Sequence, residues 1–260
     1  MSLGHPRTVA FFKKIGFSDG DRIEVAGAAV RLKVSARARR IGLRIDTARR
    51  EVIATAPSPR RLAEAAAFAE ERRGWIAARL AELPAPMQLL PSAVIEVLGA
   101  PCQLTQGAGR ARWGRGSAGE PLEIIAPGEG EAFARAVVRL LKAEARQTLM
   151  ERTEAHARTL GQPTPAVSVA DARGRWGSCR PAPRRGFGAS VSVGRIRYSW
   201  RLVLAPAAVL DYVAAHECAH LIEANHSPKF WAVVRELIGD ERPHRAWLRA
   251  HGTRLHGVGA

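Results

Sequence analysis

The chain has 260 residues, 47% of them hydrophobic, enough to bury a core as one large domain or two small ones. No apolar run approaches the length of a membrane span, and Thr8–Phe12 ahead of Lys13-Lys14 is too short for a secretory signal. A formal charge of +16 admits anionic partners, although the excess is nearly all arginine and can follow from genome composition alone.

Residues 22 to 56 read as three short strands, with turns around Ala36–Ala38 and Thr47–Arg49. Val30, Leu32 and Val34, then Ile41, Leu43 and Ile45, alternate inward. Arg31, Lys33, Arg37, Arg39, Arg40, Arg44, Arg49 and Arg50 form a basic face against the single Asp46. That face reads equally as solvated surface or as a contact for a polyanion, nucleic acid or acidic partner. It has no aromatic residues on which bases could stack. Ser58-Pro59 caps a helix to Leu83, with Leu62, Ala66, Ala69, Ile76 and Leu80 on one side, and Pro84 to Pro86 end it. A second β segment covers 92 to 126, broken by the turn-rich Gly107 to Gly119.

A long helix from Glu129 to Leu160 carries Phe133, Val137, Leu140, Leu141 and Leu149, and stops at Gly161. Strands follow at Ala166–Ala170, Arg173–Cys179 and Phe187–Val203. Pro206 opens a helix with no breaker before Glu223, striped by Val209, Leu210, Val213 and Leu221. Ser227-Pro228 caps another, Lys229 to Ile238, closed by Gly239, and Pro243 to Leu255 forms a last helix with Trp247 and Leu248. No repeat of clear period is visible. The elements divide into segments 1–90, 91–160 and 161–260, an α+β chain with a β-rich N-terminal part.

The helix after Pro206 holds His216-Glu217-Cys218-Ala219-His220. Residues i and i+4 share a helix face, so His216 and His220 can offer two imidazoles to one metal ion. Glu217, one position round, can reach a water on that metal without being a ligand. A third ligand requires a turn, because ten residues of straight helix would carry His226 about 15 Å along the axis. Asn225 suits that turn, since asparagine tolerates the left-handed conformation. The rival to His226 is Glu236, which with Asp240 makes an E-x-x-x-D pattern; His226 is the favoured ligand. Cys102, Cys179 and Cys218 are scattered and form no C-x-x-C pair, so small buried thiols in a reducing, cytoplasmic setting are expected. Cys218 points about 200° round the helix from His216.

Asp211 to Leu221, together with Asn225 to Trp231, resembles the YgjP-like zinc metallopeptidases, which are related to the SprT-like and WLM groups. Arg175-Trp176-Gly177-Ser178-Cys179 and Tyr198 to Pro206 agree with the same pattern. The likeness is dense from Arg173 to Leu255 and looser from Val30 onward. It implies that His216, His220 and His226 bind Zn²⁺, that Glu217 is the catalytic base, and that 161–260 is a zincin-like metallopeptidase domain with an HExxH catalytic helix. Cys218, where the family usually has leucine, and the insertion-like Pro181–Gly188 depart from it without touching a ligand position.

These readings anticipate a zinc metallohydrolase acting on peptide or unfolded protein. Glu217 would take a proton as water attacks a carbonyl and return it to the leaving amine. Arg175, Tyr198 and His244 are candidates, by residue type, for holding the carbonyl oxygen. The Arg175–Ser178 strand reads first as structural, with Trp176 an anchor and Gly177 allowing close packing, and second as a wall that pairs with extended peptide. Two other classes stay open: a zinc-dependent nucleotide phosphohydrolase, which lacks a phosphate loop, and a non-catalytic zinc module on nucleic acid, which would not need Glu217.

Overall fold

The computed structural model describes residues 16–259 apart from 48, 86, 115–121, 173 and 183–192. The chain forms two compact units, Met1–Leu83 and Pro84–Ala260, and its class is α+β.

In the first unit, β1 (Arg22–Val25), β2 (Ala28–Val34), β3 (Gly42–Asp46) and β4 (Glu51–Ala56) form a sheet of order β1-β2-β4-β3. The first expected strand is split at Ala26-Gly27, where φ is 52° and 75°. Two successive positive φ values make the tight hairpin whose twist matches its strands. A 3₁₀ turn (Pro59–Arg61) leads into α1 (Leu62–Glu71) and α2 (Arg73–Ala81). The single helix expected from Ser58 to Leu83 therefore breaks at Arg72. Between Ala69 and Ile76 no apolar side chain holds the helix to the core, and Gly74 weakens it further. Val30, Leu32, Val52, Leu62, Ala66 and Ile76 pack together beneath. Two arginines of the basic window are tied down. Arg31 shares the buried Glu51 with Arg22, at 3.1 and 2.9 Å, and Arg50 donates to the carbonyls of Leu80 and Leu83.

The second unit opens with β5 (Val94–Val97), β6 (Ala100–Gln106), β7 (Arg112–Gly114) and β8 (Leu122–Ala126), in the order β5-β6-β8-β7. This repeats the first sheet strand for strand: an antiparallel hairpin, a parallel pair, an antiparallel edge. Even the hairpin turns match, with Leu98-Gly99 at φ 53° and 86°. α3 (Gly130–Thr159) follows, then β9 (Ala166–Ala170), β10 (Gly177–Arg180) and β11 (Arg195–Ser199), a sheet of order β10-β11-β9. The strand expected over Phe187–Val203 is confined to Arg195–Ser199; residues 187–192 lie outside the described ones. Trp200–Leu204 is instead a 3₁₀ turn with all five side chains buried. Three helices complete the unit: α4 (Ala207–Ala219), α5 (Pro228–Ile238) and α6 (Arg242–His256).

One core runs through this unit from Leu89 to Val258, so elements of 91–160 and 161–260 pack into each other. α3 anchors α4 through polar contacts. His156 Nε2 lies 2.8 Å from Asp211, and the Cys218 thiol donates to Thr153 O at 3.7 Å. Arg201, wholly buried, joins Asp171 to the Val258 carbonyl, to which it donates at 2.8 and 3.1 Å. No described helix is long and apolar enough to cross a membrane. Arg201→Met should lower stability by about 1–3 kcal/mol, since it strands the buried Val258 carbonyl, while the exposed Asp171 keeps water and the Trp200 Nε1 donor. Urea titration measures this directly; a loss near zero would mean the pairing is energetically idle.

Candidate metal centre

α4 carries His216 and Glu217 in its last turn and ends at Ala219, so His220 is the capping residue rather than mid-helix. The chain then turns sharply. The N–H groups of Leu221, Ile222 and Glu223 donate to Cys218 O, Ala219 O and Ala219 O, at 2.9–3.1 Å. The left-handed Asn225 expected for this corner does not occur. Asn225 keeps a negative φ, and its carbonyl accepts from Ser227 N–H at 2.8 Å. Ser227 Oγ in turn caps α5 by accepting from Phe230 N–H at 3.3 Å.

This corner returns His226 to the other two histidines. Potential ligand atoms of His216, His220 and His226 all lie within 4.8 Å of one another, and Nε2 of His226 is 3.1 Å from Nε2 of His216. Ligands on a tetrahedral zinc with bonds of about 2.0–2.1 Å stand about 3.3 Å apart, so the donor set fits such an ion. Nδ1 of His220 faces Glu223 O at 3.0 Å, leaving Nε2 open for a ligand bond. Phe230 packs on all three rings, at centroid distances of 4.9, 4.6 and 4.7 Å. Trp231 lies 5.8 Å from His216 and from His226, and Tyr212 lies 5.9 Å from His216. Burial, then the neighbouring imidazoles and Arg245, lowers the His216 pKa to about 4. The same causes lower His226, burial first. Both shifts favour the neutral ring, the form that binds metal.

Glu217 is 5% exposed and sits against β10. A Cβ on Gly177 would come within 2.4 Å of its Oε1 and 2.6 Å of its Cγ. Burial raises its pKa to about 7, with Arg175 pulling the other way. Burial also pushes Cys179 and Cys218 up to about 12, so both are neutral thiols at pH 7.

Other expected residues fare differently. Glu236 is exposed and stands outside the histidine group, and Asp240 is held by Arg242 at 2.8 and 3.0 Å. Tyr198 cannot reach a substrate, because it is wholly buried and its hydroxyl lies 2.9 Å from Thr153 Oγ1. Arg175 is exposed near Glu217, while His244 stacks 5.8 Å from Tyr212, which in turn abuts His216. Trp176 stacks on His256 at 4.1 Å and rests on Gly252. Of the insertion-like Pro181–Gly188, residues 183–188 lie outside the described ones. The packing roles of Tyr212 and Phe230 were missed in the sequence, yet Tyr212 is four residues before His216 in α4 and so shares its helix face.

A histidine triad with an adjacent buried carboxylate marks a metal-site class rather than a particular enzyme. The chain matches the family model described as YgjP-like, metallopeptidase domain, over residues 39–251, and it belongs to the YgjP-like metallopeptidase family. No curated protein and no solved structure matches it.

His216→Ala and His226→Ala should each reduce bound zinc per chain to near background in equilibrium dialysis, whereas Glu236→Ala should keep it. Full zinc in His226→Ala, with loss in Glu236→Ala, would reverse the ligand assignment.

Proposed function

We propose that this metallopeptidase is zinc-dependent, with His216, His220 and His226 as ligands and Glu217 as general base, acting on peptide or unfolded protein. What carries the reading is the buried Glu217 carboxyl beside three convergent imidazoles. When bound, zinc supplies positive charge that acidifies a water and polarises a carbonyl. Glu217 accepts the proton of the attacking water and later delivers it to the leaving amine. A carboxyl near pH 7 exchanges protons in both directions at little free-energy difference, which suits both halves of that task. The wall of Phe230, Trp231 and Tyr212 fixes the imidazoles and excludes water behind them.

β10 is bonded to β11 on one side and is the edge of its sheet. Its other side suits backbone pairing with an extended substrate, and its Gly177 end abuts Glu217. Arg175 and His244 are the groups disposed to stabilise the carbonyl oxygen. The separated, uncharged thiols suit a reducing cytoplasm.

Glu217→Gln should lower kcat on unfolded protein by about 10²–10⁴-fold with zinc content unchanged, because glutamine cannot accept the proton. Retained activity would sink this mechanism, and phosphate release from nucleotides without peptide cleavage would favour a phosphohydrolase. The pH profile supplies a second test. Glu217 must be ionised to act, so kcat/KM should rise with pH along an acid limb set by its pKa. Burial raises that pKa, and both Arg175 and a bound cation lower it, so the limb of the loaded enzyme lies at or below pH 7. Arg175→Met should therefore move the limb to higher pH; a shift downward would contradict the assignment.

A further inference from the structure

β11 alternates strictly: Ile196 and Tyr198 are buried, while Arg195 and Arg197 are exposed on the opposite face. Strand pairing sets Arg180 of β10 directly across from Arg195, and sets Arg197 between Ser178 of β10 and Ser168 of β9. Arg175 joins them at the β10 end nearest Glu217. These side chains line a cavity of about 540 Å³ on that face. Among the described residues Arg180, Arg195 and Arg197 form no ion pair with a carboxylate, although many other arginines of the chain do, and Arg175 has only the nearby Glu217.

Like charges directly opposite on a sheet are destabilising. An edge-strand charge such as Arg180 has a structural explanation, since it discourages pairing between sheets. That explanation does not extend to Arg195 and Arg197, which lie on the central strand β11. Three unneutralised guanidinium groups, with Arg175 beside them, around one cavity therefore mark a surface whose repulsion is relieved by an anionic ligand. Arginine forks match carboxylates in paired hydrogen bonds. Among the described residues the cavity lining has no aromatic ring on which a nucleobase could stack, unlike single-strand nucleic-acid grooves.

We propose that the exposed face of β10 and β11 is a subsite for acidic side chains of the substrate, making this a peptidase selective for Asp- or Glu-rich segments. The selectivity rests on the peptidase reading above; the anion-binding face does not. A substrate strand added beside β10 would lie about 4.8 Å away and present alternate side chains to the arginine face. Gly177 lies against Glu217 and Arg180 is three residues on, about 10 Å along the strand. The acidic residues therefore fall a few positions to one side of the bond that is cut.

The test uses two readouts on the full-length, zinc-loaded protein. In the first, Glu217→Gln protein, which would bind without turnover, is titrated by fluorescence anisotropy. The probes are a labelled Glu-rich peptide, its Gln-substituted match and a labelled single-stranded oligonucleotide. The second measures kcat/KM of otherwise wild-type protein on the same two peptides. Arg180→Gln and Arg195→Gln, separately and together, should weaken binding of the Glu-rich peptide and lower its kcat/KM by about tenfold or more. The Gln peptide should change less than about twofold, within ordinary surface-mutation effects. Each single variant should keep or raise Tm, because it removes a repulsion, so loss of folding does not mimic the result. Equal binding of both peptides, or equal losses on both, would overturn the subsite. Tighter arginine-dependent binding of the oligonucleotide would overturn it in favour of nucleic acid. Selective binding with no cleavage of either peptide by wild type would leave the acidic subsite standing and remove the peptidase reading instead.

Discussion

The approach of β10 to α4 is the contact on which the rest of the site depends. At Gly177 the strand comes so near the helix that the Glu217 carboxyl occupies the space a Cβ would need. Glycine is required there for room, not for an unusual φ. The contact buries Glu217, and burial is the largest cause of its raised pKa. It also carries the strand edge past Glu217. One missing side chain thus links the packing of two elements to the acidity of that carboxyl.

α4 must be held rigidly for that contact to persist. Its residues are buried on nearly every side, including Leu210, Ala214, Ala215, Cys218 and Ala219. Such a helix lacks the one-sided stripe that usually orients a surface helix. Polar anchors supply the orientation instead: Asp211 meets His156 and the Cys218 thiol meets the Thr153 carbonyl, both on α3. Cys218 fills this contact as a small buried thiol, on the side of α4 away from His216. The small side chains of Ala214, Ala215 and Ala219 let neighbouring elements approach closely, while His216 and His220 face the open corner.

Local chemistry is what the sequence makes legible. The i, i+4 histidines, the Ser227-Pro228 start of α5 and the Gly239 and Gly161 stops all act within a few residues, and all appear where their spacing puts them. The need for a turn before His226 was also legible from helix rise alone. Its conformation was not, since backbone bonds around Ala219 and Asn225 close the corner without a left-handed residue. Tyr198 shows the limit of residue type: a tyrosine near the motif was a candidate for chemistry, but its register in β11 turns it into the core, where Thr153 meets its hydroxyl. The twofold use of one sheet topology was hidden for a related reason. Turn position and inward alternation define that topology, and many different side chains satisfy both.

Charge makes the same point over longer range. The densest basic run in the sequence, from Arg31 to Arg50, is partly absorbed by structure through Glu51 and the carbonyls that end α2. Pairs such as Arg61–Glu64, Arg135–Glu131 and Arg158–Glu154 are exposed neighbours along a helix, and they offset charge locally without specifying a partner. Arg175, Arg180, Arg195 and Arg197 look unremarkable as a string, because the strand pairing that gathers them spans a loop. Arg180 and Arg195 stand directly opposite one another, and all four line one cavity. A net charge of +16 therefore says little by itself. What matters is which guanidinium groups the fold gathers on one face, and here that face spans β11 and the neighbouring strand whose Gly177 end abuts Glu217.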